Sequence, residues 1–98
     1  MVISDVGLHK VWVSRWFHPK MAGKTIIYNG FASMGASLPA CIATKLTLPD
    51  HEVIGIGGDG GFLMNIQEME TAYRLGLEIR WTRKPTLDLF PQIHRARF

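Results

Sequence analysis

The chain has 98 residues, of which 47% are hydrophobic and 19% charged, with ten glycines and a single cysteine. This composition is typical of one small globular domain and excludes a disordered or fibrous chain. The lone cysteine excludes an internal disulfide, and no apolar run is long enough to cross a bilayer. We therefore expect a cytoplasmic protein with no membrane partner.

The net charge of +3 is confined to the carboxyl-terminal part of the chain. Residues 1–79 carry six Lys/Arg and seven Asp/Glu, a balance of −1, whereas residues 80–98 carry five and one, a balance of +4. A nucleic-acid-binding face would spread its basic residues over one folded element, beside a recognition motif. The tail has no such organisation, so we expect no nucleic-acid partner.

The first half of the chain predicts two strands and two helices. Residues 2–3 end a strand, and Ser4 and Asp5 are expected to cap a helix over residues 6–17. The apolar residues of that helix recur at helical spacing and are expected to pack inward: Leu8, Val11, Trp12, Trp16 and Phe17. A β-branched strand over residues 25–28 follows. A second helix over residues 33–46, beginning or kinking near Pro39, carries an apolar stripe: Met34, Leu38, Ile42 and Leu46. Cys41 lies on this helix and is expected to be a packed small residue.

The second half predicts a buried strand, a third helix and an interrupted strand. Residues 52–57 are apolar at successive positions, as in a parallel sheet covered on both faces. A helix over residues 66–75 is expected to point Ile66, Met69, Tyr73 and Leu75 inward and to end at Gly76. The next strand begins near Leu77 but is broken by basic residues from Arg80 onward.

This alternation of elements predicts an α/β fold: a doubly wound parallel sheet with helices on both faces. Because the fourth strand is interrupted, we expect the sheet to be incomplete. The expected organisation is a partial domain over residues 1–79 and a divergent, poorly ordered basic tail over residues 80–98.

A glycine turn after the buried strand is the best candidate for a functional site. It reads Gly58-Asp59-Gly60-Gly61 and lies at the carboxyl end of a strand, where sheets of this class bind ligands. Glycine N–H groups can approach a phosphate closely, but the Asp59 carboxylate would repel it. A divalent cation between the two removes the conflict, since Mg²⁺ binds both carboxylate and phosphate oxygens. The sequence therefore predicts a magnesium-diphosphate site with Asp59 as metal ligand.

Two other interpretations of the turn stay open at this point. Residues 55–60 also fit the letters of the dinucleotide fingerprint G-x-G-x-x-G, with Glu78 at about the right distance to bind a ribose. A glycine-rich turn without any ligand is the third interpretation.

Three blocks of sequence, in fixed order, carry a resemblance to a known family. They read DVGLHKVW from Asp5, NGFASMGASLPA from Asn29 and GDGGFLMNIQEMETA from Gly58. Together they resemble the thiamine-diphosphate-binding domain of the acetolactate synthase family over roughly residues 1–79. The resemblance implies a three-layer α/β domain with a central parallel sheet, and thiamine diphosphate and Mg²⁺ as cofactors. In full-length members, one 2-keto acid is decarboxylated and its two-carbon unit is transferred to another.

The resemblance also implies roles for residues around the cofactor's diphosphate. Asp59 matches the metal ligand, and Gly60 and Gly61 match positions whose backbone meets the diphosphate, with serine common at the second. Contacts from a neighbouring turn are implied at Val6, Gly7 and His9. The Gly58 position begins the turn that holds Asp59.

Further implied contacts involve the rest of the cofactor. Leu8 stands where many members have glutamine, and Ala32 stands where glycine is frequent, beside the aminopyrimidine. Met34 matches the bulky residue that holds the cofactor bent. On local sequence alone, His9 reads as a surface helix residue and Met34 as a core residue.

Two features of the family have no match in these residues. The second side-chain ligand of the magnesium would fall at Thr86, and Asp88 is two residues out of register. The glutamate that activates the cofactor belongs to a pyrimidine-binding domain with no counterpart here. We therefore expect the isolated chain to be inactive. It is also expected to form a homo-oligomer or to associate with a full-length synthase through an exposed apolar face.

Overall fold

Strands and helices alternate along the chain. The structure, a computed structural model, describes residues 1–83 and 96–97. The elements in order are β1 (Val2–Ser4), α1 (Leu8–Trp16), β2 (Thr25–Ile27), α2 (Ser37–Thr47), β3 (Val53–Gly57), α3 (Asp59–Met64), α4 (Glu68–Arg74), β4 (Ile79–Arg83) and β5 (Ala96–Arg97). In the described part of the chain, every helix is too short or too polar to cross a membrane.

The strands form one sheet in the order β2-β1-β3-β4-β5. The first four strands run parallel, and β5 is antiparallel to β4. Right-handed crossovers place α1 on one face and α2 with α4 on the other, which agrees with the packing of α2 against β1, β3 and α4. The predicted α/β architecture with a parallel sheet is confirmed.

The direction in which successive strands are added to the sheet reverses at its centre, between β1 and β3. From β1 the chain moves outward to β2, whereas from β3 it moves the opposite way to β4. The loops that follow β1 and β3 therefore leave neighbouring strands toward opposite faces. In an open α/β sheet, this reversal opens a crevice at the carboxyl ends of the strands, where ligands bind.

The core lies between the sheet and the pair of helices α2 and α4. Its buried members are Ile3, Leu38, Cys41, Ile42, Val53, Ala72, Ile79 and Trp81. Cys41 is a free thiol with no exposed surface, as predicted for a packed small residue. Burial raises the pKa of the Cys41 thiol to about 12, so the side chain stays neutral in the folded chain.

The expectation that the fourth strand fails at Arg80 is wrong. β4 pairs with β3 over all five of its residues, from Ile79 opposite Val53 to Arg83 opposite Gly57. Ile79 and Trp81 are buried, whereas the alternate residue Arg80 is half-buried and forms an ion pair with Glu52. The strand alternates because its two faces have different surroundings, and alternation accommodates arginine. The rest of the expected disordered tail lies largely outside the described residues.

The inward face of α1 differs from the expected one. The helix buries His9 and Val13, one turn apart, while Leu8 is 74% and Trp16 66% exposed. Leu8 therefore faces away from the sheet and the imidazole faces inward, whereas Trp16, two turns after His9, lies on the same side as the imidazole and is exposed at the end of the helix. The prediction that both tryptophans pack in the core is wrong, since Trp12 is also substantially exposed.

The other helices are shorter than expected, and the predicted third helix is in fact two. α3 begins directly at Asp59, and α4 follows a break at residues 65–67. Ala72 is the buried residue of α4, whereas Tyr73, Ile66 and Leu75, expected to point inward, are exposed. α2 buries Leu38 and Ile42 as predicted. The outer members of its stripe, Met34 and Leu46, are exposed.

Candidate functional site

The loop after β1 contains a glycine that the backbone requires. Gly7 has φ 151°, a value that residues with a side chain rarely adopt. A Cβ at this position would lie only 2.7 Å from Cε1 of His9. Gly7 is also the residue that precedes α1, which has no side-chain cap. The absence of a side chain lets the His9 ring fold back against the loop.

His9 is buried with one ring nitrogen unpaired. Its side chain is 8% exposed, and Nε2 has no hydrogen-bond partner in the structure. A Cβ on Gly58, in the loop after β3, would be 3.9 Å from Cε1 of the same ring. The imidazole therefore lies between the two loops at the chain reversal. The surface interpretation of His9 is excluded, and the described residues supply no hydrogen bond to its buried Nε2.

The loop after β3 presents Asp59 to solvent. Gly58 is extended, with φ −83° and ψ 167°, and α3 starts at the next residue. Asp59 is exposed, and its Oδ1 accepts the N–H of Gly60 at 2.9 Å. It forms no ion pair with any residue that the structure describes.

This carboxylate fits a cation that keeps most of its own water. Mg²⁺ is commonly held by one or two carboxylates together with phosphate oxygens and water. Within the described residues there is no cluster of three or more His, Cys, Asp or Glu that could hold a metal by itself. Thr86 and Asp88, the two positions considered for a second ligand, lie outside the described residues.

Gly61 is buried against the carboxylate of Asp5. A Cβ at Gly61 would lie 2.5 Å from Oδ2 of Asp5 and 3.2 Å from its Cγ. The serine that is common at this position in the resembling family would therefore displace Asp5. The absence of a side chain at Gly61 therefore leaves the space that the buried Asp5 carboxylate occupies.

Asp5 is a site residue that sequence reasoning missed. The expectation that it caps the first helix is wrong, since α1 has no side-chain cap. Asp5 is fully buried, its Oδ1 accepts the N–H of Val6 at 2.7 Å, and its two oxygens accept the N–H of Gly35 at 3.0 and 3.1 Å. A carboxylate directly after a buried strand was the sequence signal, but its partner is thirty residues away.

The loop between β2 and α2 brings Ala32 and Met34 to the same edge of the sheet. Ala32 has φ 49°, the left-handed region that favours glycine, at a position where the resembling family frequently has glycine. Met34 is 51% exposed, so its interpretation as a core residue is wrong. The next residue, Gly35, accepts a hydrogen bond from Asn65 Nδ2 through its carbonyl oxygen at 2.9 Å. This contact of Asn65 was not predicted from the sequence.

The structure thus brings together most of the predicted site residues but not all. The loops carrying Gly7, Gly35 and Gly58 meet through contacts of His9, Asp5 and Asn65. Val6 lies in the first of these loops and is half-buried. Leu8 is largely exposed, on the side of α1 opposite to His9 and Val13. No described contact connects Leu8 to the other two loops.

The geometry does not support the dinucleotide interpretation. Gly55 and Gly57 lie inside β3 rather than in the turn, and a side chain on either would collide with the indole of Trp81. Their role is close packing. Glu78 precedes β4, at the edge of the sheet opposite to the glycine turn. It therefore cannot serve as the ribose ligand of a site at that turn.

A cavity of about 260 Å³ lies at this opposite edge. It is lined by Lys45, Asp50, Glu52, Val53, Glu78, Ile79 and Arg80. Of these residues, only Glu78 was considered for a site, as the ribose ligand of the dinucleotide interpretation. The crevice at the glycine turn and this cavity are at different ends of the strands.

Comparison with known proteins agrees with the chemistry of the crevice. Residues 5–82 match the family model described as the thiamine pyrophosphate enzyme, C-terminal TPP binding domain. The chain is 40% identical over 74 residues to the acetolactate synthase of Bacillus subtilis, covering 76% of this chain and 13% of that protein. It is 38% identical over 80 residues to the acetolactate synthase large subunit of Lactococcus lactis, covering 82% and 14%.

A chloroplastic enzyme gives the same result. The chain is 35% identical over 71 residues to the chloroplastic acetolactate synthase of Arabidopsis thaliana, covering 72% of this chain and 11% of that protein. The chain thus spans only a small part of the length of the relatives it matches. Thiamine diphosphate with Mg²⁺ is the cofactor of this family. On the match over residues 5–82, together with the parallel sheet and the loops that meet at its carboxyl edge, the chain belongs to the thiamine pyrophosphate enzymes as part of their C-terminal, cofactor-binding domain.

Proposed function

We propose that this domain binds thiamine diphosphate through Mg²⁺ in the crevice between the loops after β1 and β3, as part of an acetolactate synthase-like enzyme. The observation that carries the proposal is the buried, unpaired Nε2 of His9, whose ring lies against Gly7 and Gly58. A buried polar atom without a partner lowers stability by about 1–3 kcal/mol. Such an atom at the reversal point of an α/β sheet is accounted for when a polar ligand supplies the missing bond.

The diphosphate would be held by backbone and metal at the glycine turn. Asp59 would bind Mg²⁺ with one carboxylate oxygen, and the metal would bind the diphosphate oxygens. Gly60 is exposed and has no side chain to obstruct the approach of an anion. Gly61 lies behind it, against Asp5. His9, Gly7 and Val6 would contact the diphosphate from the other loop.

The remainder of the cofactor would lie beside the loop between β2 and α2. Met34 exposes half of its side chain there, and Ala32 presents its backbone in the left-handed conformation. Leu8 would contact the cofactor only through its backbone, since its side chain points outward. The chemistry that thiamine diphosphate supplies when bound is stabilisation of a carbanion. The residues of this chain bind and orient it.

Calorimetric titration tests the metal bridge directly. The chain is titrated with thiamine diphosphate in the presence and absence of Mg²⁺, as wild type and as Asp59→Ala. We expect heat of binding only with Mg²⁺ and only in the wild type, because without the metal the carboxylate repels the diphosphate. Asp50→Ala, which removes an exposed carboxylate at the opposite edge of the sheet, is the matched control. Tight binding that survives Asp59→Ala would contradict the proposal.

Decarboxylation of 2-keto acids and two-carbon transfer are proposed for the complete enzyme and not for these 98 residues alone. The residues described here bind and orient, and none is placed to act as the activating acid or base. We expect no turnover of pyruvate by the purified chain with both cofactors. Measurable acetolactate formation by the chain alone would contradict this. A cytoplasmic location and the absence of a nucleic-acid partner stay predictions.

Association with a second chain is a further candidate function, favoured by exposed apolar side chains on and near α1. Leu8, Val11 and Trp16 on this helix are each more than half exposed, and Phe31 in a neighbouring loop is fully exposed. Large apolar side chains on one surface mark an interaction site. The partner would be a second copy of this chain or a full-length synthase.

Light scattering after size exclusion measures this association. We expect the wild type to elute as a dimer or larger species, and Trp16→Glu to shift it toward the monomer. Tyr73→Glu, at an exposed aromatic on α4, serves as control and should leave the mass unchanged. A clean monomer for the wild type across the concentration range would count against the idea.

A further inference from the structure

The peptide groups around Gly35 are held from two different loops. The N–H of Gly35 donates to both carboxylate oxygens of Asp5, at 3.0 and 3.1 Å. Its carbonyl oxygen accepts a hydrogen bond from Asn65 Nδ2 at 2.9 Å. Asp5 follows β1, and Asn65 lies between α3 and α4. One residue of the loop between β2 and α2 is therefore fixed by groups on both sides of the crevice.

Packing around Gly35 leaves it little freedom to move. Its φ of 81° lies in the left-handed region, and a Cβ would come within 2.8 Å of Asn65 Nδ2 and 2.9 Å of Met64 Cβ. Asp5 is fully buried, and its oxygens are engaged with the backbone N–H groups of Val6 and Gly35. Hydrogen bonds to a buried carboxylate are roughly twice as strong as those between neutral groups. The backbone is therefore tightly held at this point.

The position of Met34 depends on the hydrogen bonds of Gly35 because the Met34 side chain itself is poorly packed. It is half exposed and precedes Gly35 directly, outside the first turn of α2. A flexible thioether with three rotatable bonds is positioned mainly by its backbone when few neighbours surround it. The two hydrogen bonds of Gly35 fix that backbone.

We propose that Asp5 and Asn65 are positioning residues that hold Met34 at the crevice through the Gly35 peptide groups. The consequence for the cofactor rests on the proposed function above. Asp5 and Asn65 would not touch the ligand. They would set where the Met34 side chain meets its ring system, whereas the glycine turn would hold its diphosphate. Because Asp5 also packs against Gly61 of that turn, Asn65 is the residue whose substitution separates the two effects.

The first experiment uses the ligand-free chain. Amide hydrogen exchange at Gly35 and the motion of the Met34 methyl group are measured by NMR in the wild type, Asn65→Asp and Asp5→Asn. Asn65→Asp preserves size and removes the donor to the Gly35 carbonyl. We expect exchange at Gly35 to become about tenfold faster and the Met34 methyl group to become more mobile. Asp50→Asn, which changes an exposed side chain at the opposite end of the strands, should change neither; unchanged Gly35 exchange in Asn65→Asp overturns the proposal.

The second experiment distinguishes a role of Asn65 in positioning Met34 from a general destabilisation of the crevice. The chain is titrated with Mg²⁺ and either thiamine diphosphate or inorganic pyrophosphate, which lacks the rings that Met34 would meet. We expect Asn65→Asp to weaken thiamine diphosphate about threefold to tenfold and to leave pyrophosphate affinity unchanged. Met34→Ala should give the same loss, and the double variant no further loss.

The outcomes distinguish the two proposals. Equal weakening of both ligands by Asn65→Asp indicates a merely structural role and overturns the positioning of Met34. A wild-type chain that binds neither ligand defeats the proposed function instead. In that case, the exchange and methyl measurements still decide whether Asp5 and Asn65 hold Met34.

Discussion

The indole ring of Trp81 occupies the space that a side chain on Gly55 would need. The two residues are paired across β3 and β4, and a Cβ on Gly55 would collide with Cε3 of the indole and lie 2.6 Å from Cζ3. On the other side it would lie 3.0 Å from Sγ of Cys41. Trp81 also contacts Phe62 of α3, with ring centroids 5.3 Å apart. The absence of a side chain in β3 therefore lets one large ring join β4 to the helix that carries Asp59.

We expect Gly55→Ala to destabilise the chain substantially. Overpacking a filled core costs about 1–3 kcal/mol, because neighbouring side chains must leave their preferred rotamers. Urea unfolding followed by circular dichroism measures the loss. Gly30→Ala is the control, since a Cβ there meets nothing within 4 Å. If both variants were equally stable, the close packing of Trp81 on Gly55 would be wrong.

A second substitution should recover part of this loss. In the background of Gly55→Ala, Trp81→Leu makes room for the new methyl group, so the double variant should be less destabilised than the sum of the single ones. Strict additivity of the two free-energy changes would indicate that the residues do not compete for space.

Strand β4, which contains Trp81, shows how much of the fold could be predicted from the sequence. Hydrophobic runs and turn residues are local signals, and they were sufficient for the order of strands and helices up to Gly76, except that one helix was expected between β3 and Gly76 where the structure has two. Whether β4 forms a complete strand depends on contacts with residues distant in the sequence. Arg80 forms an ion pair with Glu52 on one face of the sheet, and Trp81 packs into the core on the other. A prediction that treats each arginine as the end of a strand overlooks this alternation of exposed and buried residues.

Part of the candidate site could likewise be predicted from the sequence, and part of it could not. The glycine turn was recognisable from its own residues and its place after a buried strand, whereas His9 was assigned to the site only through the resemblance of its sequence block to a known family. The bonds of Gly35 to Asp5 and Asn65 each join residues 30 positions apart. No local pattern indicates such a partner, and Asp5 was expected to cap a helix instead.

Ala32→Gly should stabilise the chain. Ala32 has φ 49°, and a left-handed conformation costs a residue with a Cβ about 1–2 kcal/mol. Glycine removes that strain but adds freedom to the unfolded chain, which leaves an expected gain of up to about 1 kcal/mol. Thermal unfolding measures the difference. Ala43→Gly, at an exposed position inside α2, should have the opposite sign, with a loss of about 1 kcal/mol; a loss at Ala32 as well would contradict the strained backbone.

Stability should fall with rising pH above about 9 because of Cys41. The folded thiol has a pKa raised from 9.0 to about 12 by burial, whereas the unfolded thiol ionises near the ordinary value. The stabilising contribution is thus complete below pH 9 and is lost progressively between pH 9 and 12. One such proton changes the free energy of unfolding by about 1.4 kcal/mol per pH unit within this range. Unfolding in urea at several pH values under reducing conditions measures the slope.

The variant Cys41→Ala isolates the contribution of the thiol. It should flatten the decline between pH 9 and 10, although its stability at neutral pH is lower because a small cavity remains. Burial also raises the pKa of Tyr28 above its ordinary 10.0, so part of the decline above pH 10 should persist in the variant. An unchanged slope between pH 9 and 10 would mean that Cys41 is not the group responsible.

His9→Leu should raise the stability of the ligand-free chain and weaken cofactor binding. Leucine fills most of the space of the imidazole and carries no polar atom, so the unpaired Nε2 and its cost of about 1–3 kcal/mol are removed. A residue kept for a ligand at the expense of stability is expected to give opposite changes in these two measurements. Urea unfolding without ligand and titration with thiamine diphosphate and Mg²⁺ supply them. His18→Leu, at an exposed position, should change neither; a His9→Leu chain that is less stable and binds as well as wild type would show that the imidazole is a packing residue and leave the crevice without its ligand.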